Sequence, residues 1–415
     1  MTNQPEQSTC VIVGASHAGV NLAFSLRKAG YVGAIALIDA DPTLPYHRPP
    51  LSKAYLISDD PIERNALKSP ESYEKSTISL HLGCRVTHLD AGKQTITFDS
   101  ASNGTTEVMY YSQLVLATGA SPIIPPIPGS QQAVNLFPLR TALDVNNIKQ
   151  AMRQKAAPKV VIIGGGYIGL ETAASLKKLG ADVTVLEREE RILARVTTPT
   201  MSSYFTNLHE QNDVNILCNK NVEGLSLKGN INQLHCDDDT VYEADIIIVG
   251  VGVRVNTELA KMANIEIDNG LKVNEFGATA TKNIYAIGDC SNHFNPHYGR
   301  FIRLESVQNA VDQAKCVAQA ICGQPVPYNT IPWFWSDQFD IKLQMVGLSE
   351  GFTDVVVRKE HTDKFSLWYF NGSQLLAVDA VNNAKDYVVA TKTIKNGLVV
   401  DKTTLGDHST AVQFL

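Results

Sequence analysis

The chain is 415 residues long, with 44% hydrophobic and 19% charged residues and a net charge of −6. This composition supports a sizeable core over two or three domains and excludes dominant disorder, and the negative balance argues against general nucleic-acid affinity. Seven dispersed cysteines with no C-x-x-C pair fit neither a disulfide framework nor a zinc or iron–sulfur site; they point to free thiols in a reducing compartment.

Residues 1–9 are polar and lack the charged-then-apolar order of a secretory signal, and no apolar run of about 18 residues occurs, so the expectation is a cytosolic chain without a membrane span. Cys10-Val-Ile-Val-Gly-Ala-Ser-His-Ala-Gly19 reads as a strand entering a glycine turn. A helix to Gly30 and a strand from Ala34 to Asp39 complete a βαβ unit. Residues 78–100 alternate like strands. Leu114 to Gly119 reads as a buried strand ending at glycine, followed by a proline-rich linker from Pro122 to Pro128.

The βαβ pattern then returns. Val160-Val-Ile-Ile-Gly-Gly-Gly-Tyr-Ile-Gly169 is followed by a helix to Gly180 and a strand from Val183 to Glu187. Gly14, Gly19 and Gly30 match Gly164, Gly169 and Gly180 at one offset of 150 residues, and Asp39 matches Glu187 within two. Ile246 to Gly250 is another apolar strand, and Ile284 to Asp289 a short one with an acid at its carboxyl end. Residues 305–322 read as a helix stopped by Gly323. From Pro325 a third, α+β unit alternates strand-like runs with one helical stretch near residues 383–394.

The second glycine turn is a complete G-x-G-x-x-G. Gly164 permits the tight turn, Gly166 lets backbone approach a pyrophosphate, Gly169 lets helix and strand pack closely, and the helix N-terminus offers N–H groups to phosphate. Glu187 suits the ribose hydroxyls and disfavours a 2′-phosphate, which favours NADH over NADPH; the adjacent Arg188 weakens that preference. In the first copy Ser16 replaces the middle glycine; it takes space near the phosphate but can donate a hydrogen bond. Asp39 is the expected ribose ligand, with Asp41 as rival. His17 suits packing or capping better than acid–base chemistry. Two such units in one chain suggest a nicotinamide carrier beside a flavin.

The stretch Pro45-Tyr-His-Arg-Pro-Pro-Leu-Ser-Lys-Ala-Tyr-Leu56, with Leu116-Ala-Thr-Gly119, Tyr285-Ala-Ile-Gly-Asp-Cys290 and Pro332-Trp-Phe-Trp-Ser-Asp-Gln338, resembles the FAD-dependent NADH:ferredoxin reductases. These serve Rieske-type aromatic-ring dioxygenases and bacterial cytochrome P450 systems. The resemblance runs from Val11 to about Asp407. It implies an α/β fold with two Rossmann-like dinucleotide-binding domains in a glutathione-reductase-like arrangement, plus a C-terminal α+β domain. The implied division gives residues 1–117 and 251–328 to FAD, 118–250 to NAD, and 329–415 to dimerisation or partner docking.

Residue by residue, the resemblance implies an FAD set of Gly14, Ser16, His17, Ala18, Gly19, Asp39, Arg48, Lys53, Val86, Ala117, Thr118, Gly119, Asp289, Val307 and Trp335. The NAD set is Gly164, Gly166, Tyr167, Ile168, Gly169, Glu171, Glu187 and Gly252. Lys53, Glu171 and Trp335 are the implied catalytic group: Lys53 beside the flavin, Glu171 near nicotinamide and able to pair with Lys53, and Trp335 facing the docked partner. Plainer readings exist. A solvated loop would account for Arg48 and Lys53, an exposed helix position for Glu171, and core packing for Trp333 and Trp335. Ser121, Val255 and Ala40 depart from the family pattern, which carries arginine, proline and an acid there.

Residues 40–75 contain no cysteine, which excludes the dithiol of disulfide reductases and the single thiol of peroxidases or water-forming oxidases of this fold. Cys290 beside Asp289 is not expected to be a nucleophile. The implied reaction moves a hydride from NADH to FAD and then single electrons to a [2Fe–2S] ferredoxin. Arg300, Arg303, Lys342, Arg358 and Lys359 are expected to gather as the docking patch. Rubredoxin, a quinone or a dye is the alternative acceptor. An FAD- and NADH-binding redox sensor resembling the apoptosis-inducing factors is the alternative class. No metal, nucleic acid or membrane partner is implied; the protein is expected to be a monomer or homodimer.

Overall fold

In the computed structural model, which describes residues 8–102 and 104–415, the apolar runs become the central strands of two parallel sheets. The reading of the polar N-terminus lies, for residues 1–7, outside the described residues. The chain divides into two compact units. One comprises residues 8–47, 62–120 and 255–334, and the other residues 48–61, 121–254 and 335–415.

The first unit is built on Thr9–Val13, whose Cys10, Val11 and Ile12 are fully buried. A strand covered on both faces must be apolar at successive positions, which is how this run reads. The sheet order is Ile284–Ala286, Gln113–Leu116, Thr9–Val13, Ala34–Asp39, Ile78–Leu82, with every pairing parallel. Helices His17–Lys28 and Val307–Ile321 pack together on one face. Ala310, Ala314, Val317 and Ala318 fall at helical spacing and meet Leu22, Ala23 and Leu26 in one core. Ser306 caps the second of these helices by accepting the Asn309 N–H at 3.1 Å, and Gly323, at φ +76°, follows its end. The antiparallel sheet Cys84–Asp90, Thr95–Ser100, Thr106–Tyr110 contributes Leu89, Ile96 and Phe98 to the core on the other face.

The second unit repeats the plan. Its parallel order is Asn215–Leu217, Asp182–Leu186, Lys159–Ile163, Ile246–Val249, Leu136–Pro138. The C-terminal part adds an antiparallel sheet in the order Trp333–Gln338, Ile341–Gly347, Gln374–Val381, Lys364–Asn371, Asp354–His361, which packs against helix Ala384–Asn396. Trp368, Tyr369 and Phe370 are fully buried there.

Residues 48–61 leave the first unit to pack within the second. Arg48 donates to the Arg140 carbonyl at 2.6 Å, Tyr55 to Asn146 at 2.9 Å, and Lys149 to the Ser58 carbonyl at 2.7 Å while lying 4.0 Å from the Tyr55 ring centre. The unit boundaries otherwise change over after Ala120, Arg254 and Phe334.

Two buried histidines tie stability to pH. His293 is 1% and His209 0% exposed, and burial pushes each down to about 4. The unfolded chain therefore binds protons that the folded chain refuses, and the two histidines lower stability as pH drops from about 6.5 towards about 4, by roughly 3 kcal/mol each; Asp379, which burial raises to about 6, works the other way and offsets part of the fall. Denaturant titrations across that range should show this slope, and His293→Asn should flatten it. A stability that is level from about pH 7 to about pH 4 would refute it.

Candidate active site

In the first unit, three strand ends converge beside the opening of helix His17–Lys28. Gly14 adopts φ +109°, and a Cβ there would lie 2.2 Å from the Ala117 carbonyl oxygen, so only glycine lets the turn pass Ala117, Thr118 and Gly119, which follow the strand Gln113–Leu116. A Cβ on Gly19 would meet the Gly14 carbonyl at 1.9 Å. Gly288, at φ +74°, abuts Ala18 and places Asp289 beside this helix start. These are the carboxyl ends of neighbouring parallel strands at a topological switch point, where open α/β sheets take ligands. His17, Ala18 and Val307 are on helix first turns; His17 is 6% exposed with its ring 5.4 Å from that of His47. Val86 belongs to the antiparallel sheet and packs against the core beneath.

The second unit reproduces this cradle. Gly164, at φ +111°, would place a Cβ 2.5 Å from the Gly250 carbonyl, and Gly169 would place one 2.2 Å from the Gly164 carbonyl. Gly166 differs. Its backbone is extended, at φ −80°, and a Cβ would meet nothing within 4 Å. The protein's own packing does not require glycine there, and Ser16 adopts the matching extended backbone in the first copy. The second loop thus leaves an open approach to N–H groups at a helix start, as a pyrophosphate requires, and the first puts a hydroxyl at the same place. Ile168 is 45% exposed at this opening, and Gly252, at φ +116°, is near the Arg195 guanidinium.

The two acids at the strand ends make equivalent bonds. Asp39 accepts the Ala15 N–H at 2.5 Å and the Asp41 N–H at 2.8 Å. Glu187 accepts the Gly165 N–H at 2.6 Å and the Glu189 N–H at 2.9 Å. Each carboxylate ties its glycine loop to the following turn and keeps lone pairs for a further donor. Asp41 instead holds its own turn and the Tyr46 hydroxyl. Arg188 is surface-exposed and paired with Glu189 at 2.9 Å.

Glu171, on the first turns of helix Tyr167–Lys178, is 2% exposed and not a surface helix position. The Lys53 ammonium and the Ser52 hydroxyl both donate to its Oε2 at 2.6 Å, and Ser336 donates to Oε1 at 2.7 Å. Lys53, 20% exposed, is therefore no loose loop charge. A buried carboxylate is tolerable with a cation and several donors. Ser52 and Ser336 escape a motif-based reading. The available signal was alternation in Trp-Phe-Trp-Ser-Asp-Gln, which turns Ser336 and Gln338 inward. Trp333 is 37% exposed and Trp335 half-buried, so core packing does not account for the pair. The Tyr167 hydroxyl lies 3.0 Å from Met345 Sδ, and burial first, then the nearby acidic groups of Asp379, Tyr369 and Glu171, raises this phenol well above its usual range.

The expected docking patch needs correction. Arg358 is 3% exposed, and its guanidinium donates to the carbonyls of Leu405, Asp407, His408 and Thr410 while lying 3.4 Å from Asp386. It is a clamp on the C-terminal segment, made possible by five fork-like donors. Arg303 is paired with Glu305 at 2.5 Å with its side chain 13% exposed, and Arg300 is half-buried on the strand Arg300–Ile302; Lys342 and Lys359 are exposed on the C-terminal sheet, where the register places them on opposite faces, so the five do not gather as one patch. Among the described residues no group of histidines, cysteines and acids is arranged to hold a metal, and no helix is long and apolar enough to cross a membrane.

Comparison with known proteins agrees with this geometry. The model of the pyridine nucleotide-disulphide oxidoreductases matches residues 8–314, and that of the reductase C-terminal domain matches residues 333–415. Putidaredoxin reductase of Pseudomonas putida is 39% identical over 407 residues, covering 96% of this chain and 94% of that protein. A rubredoxin-NAD(+) reductase of the same species is 36% identical, covering 90% and 96%. The fold matches the crystal structure of a covalent putidaredoxin reductase–putidaredoxin complex with a TM-score of 0.91, 38% identity and coverage of 97% and 96%.

The two glycines of the second loop should separate experimentally. Gly164→Ala forces a side chain into positive φ against backbone and should cost more than about 1 kcal/mol of stability. Gly166→Ser, which copies the first loop, should stay within about 0.5 kcal/mol of the parent in denaturant titrations and lower dinucleotide affinity. Equal destabilisation by both would show that Gly166 serves the fold alone.

Proposed function

We propose, for a chain that belongs to the pyridine nucleotide-disulphide oxidoreductases and among them to the FAD-dependent ferredoxin reductases, that its electrons leave for a small acidic [2Fe–2S] ferredoxin that feeds an oxygenase. The protein is a flavoprotein oxidoreductase that uses FAD and NAD(H). The observation that carries the proposal is the Lys53–Glu171 pair at 2.6 Å, set on the helix that the second glycine loop opens.

FAD, when bound, accepts two electrons together from NADH and gives them up singly. The chain's own residues would divide the work of holding and tuning it. The Gly14–Gly19 loop would hold the FAD pyrophosphate on helix N–H groups, helped by Arg48, with Val86, Ala117, Thr118, Gly119, Asp289 and Val307 along its length. Asp39, whose carboxylate faces the loop, is favoured over Asp41 for the adenosine ribose. The Gly164–Gly169 loop, Tyr167, Ile168 and Gly252 would hold NADH, and Glu187 its ribose. Lys53, fixed by Glu171, would present a positive charge to the reduced ring, and Trp335 would face the partner. Functionally, residues 1–117 and 251–328 would serve FAD, 118–250 NAD, and 329–415 docking, in a monomer or homodimer. The seven free cysteines support a reducing, cytoplasmic setting.

The structure of putidaredoxin reductase with putidaredoxin supports a protein acceptor, and the rubredoxin-NAD(+) reductase relative keeps rubredoxin as the second candidate. Anaerobic stopped-flow titration should show fast, near-stoichiometric bleaching of the flavin by NADH, slow reoxidation in air and fast reoxidation by ferredoxin. Sluggish bleaching into a persistent long-wavelength complex would move the reading to a redox sensor. Reversing charge at Lys342 and at Lys359, one at a time, should identify the docking side by raising the apparent KM for ferredoxin several-fold and flattening its salt dependence in one of the two; unchanged kinetics in both would remove this sheet from docking.

A further inference from the structure

Behind the Lys53–Glu171 pair runs a row of buried polar side chains that hydride and electron transfer do not themselves use. Ser336 donates to Glu171 Oε1 at 2.7 Å, Gln338 Nε2 donates to Ser336 Oγ at 3.1 Å, and His209 Nε2 lies 2.9 Å from Gln338 Oε1. All three residues are 0% exposed. His209 comes from helix Pro199–Gln211, while Ser336 and Gln338 share one face of the strand Trp333–Gln338, with Trp333, Trp335 and Asp337 on the other.

One charge sets the direction of every bond in the row. An ionised carboxylate only accepts. Ser336 therefore gives its single hydrogen to Glu171 and accepts from the Gln338 amide nitrogen. The Gln338 oxygen is then turned to His209, and the imidazole carries its hydrogen on Nε2. Burial pushes His209 down to about 4, so the ring is neutral at neutral pH, and its Nδ1 has no partner among the described residues. An amide in the middle makes the row a fixed line of dipoles and not a path for protons.

We propose that Ser336, Gln338 and His209 are positioning residues that hold Glu171 as an anion in one rotamer, so that its other oxygen keeps the Lys53 ammonium in place for hydride transfer. The inference rests on the flavoprotein reading of the site. A purely structural row would fill the same space but would neither couple its far end to the carboxylate nor alter the transfer rate.

The test uses the full-length holoprotein with 15N-labelled histidine, the residue 209 signal being assigned by its loss in His209→Gln. Before NADH is added, the wild-type ring should show the Nε2–H tautomer alone. Ser336→Ala interrupts the row, and the ring should become a mixture of tautomers; Ser336→Thr keeps the hydroxyl and should retain the wild-type signature. In stopped flow, Ser336→Ala should lower the limiting rate of flavin reduction about tenfold, the effect of losing one charge-assisted hydrogen bond, with the NADH dissociation constant unchanged and recovery in Ser336→Thr. Should Ser336→Ala fail to fold, Gln338→Leu breaks the same row one link further on; because it removes the ring's own partner, the limiting rate of flavin reduction is the test there, and an unchanged rate overturns the inference. A tautomer that persists in the broken row, or a limiting rate that stays at the wild-type value when the tautomer changes, overturns the inference. Wild-type FAD that NADH does not bleach overturns the functional reading itself, a failure visible before any variant is made.

Discussion

The negative charge of Glu171, buried to 2% exposure, is the constraint on which much of the second unit depends. Left alone in a low-dielectric interior, that charge would be removed by protonation or by unfolding. It persists because two distant chain segments bring three donors to it. Lys53 arrives from 118 positions away and Ser336 from 165, while Ser52 takes the second place on Oε2. The excursion of residues 48–61 into this unit answers that need. Arg48, Tyr55 and the Ser58 carbonyl pin it to residues 140–149, and Ser175 donates to the Ser52 carbonyl at 2.7 Å on the helix that carries Glu171.

The duplicated βαβ units agree down to single hydrogen bonds, and the two places where they part are informative. Both acids tie the glycine loop to the next turn, so acid, loop and turn form one closed motif. The copies differ at the middle loop position and again in the first turns of the helix. Ser16 occupies in the first copy a place that Gly166 leaves open in the second. Beyond Gly169 comes Glu171 with its partners, whereas the matching position after Gly19 is Asn21, whose amide bonds to the His17 carbonyl within its own helix. A shared scaffold thus carries an ionic centre in only one copy, which suits two dinucleotides with different tasks.

What was legible in the sequence was local. Glycines forced by positive φ, apolar runs of doubly covered strands and the stop at Gly323 are fixed by backbone sterics and spacing within a few residues. The burial of Arg358 was not legible, because arginine is normally a surface residue and only the return of residues 405–410 supplies four carbonyls to its fork. Nor was the link from His209 to Gln338, which joins a helix and a strand 129 positions apart. Lys53 and Glu171 were reachable through the family resemblance. The hydroxyls that complete their site were not, since a serine in a motif gives no sign of which way it faces until the strand it occupies is known.

The family takes its name partly from disulphides, yet six of the seven thiols of this chain are held away from the reactive thiolate, and the seventh, Cys84, is buried. A reactive cysteine needs a stabilised thiolate in an electropositive, accessible place. Here burial pushes Cys10 up to about 12 and Cys316 up to about 11, and it is also the main force raising Cys218, Cys236 and Cys322. Cys290, next to Asp289 at a strand end, is fully buried, raised by desolvation, and shares its S–H between the Leu116 and Ile287 carbonyls. Residues 40–75 contain no cysteine, and the charged group they bring to Glu171 is Lys53. An ammonium held by a buried carboxylate can stabilise negative charge but cannot accept electrons. Electrons that enter such a site as a pair find no cysteine of residues 40–75 to receive them, which agrees with the separate protein acceptor proposed for this chain.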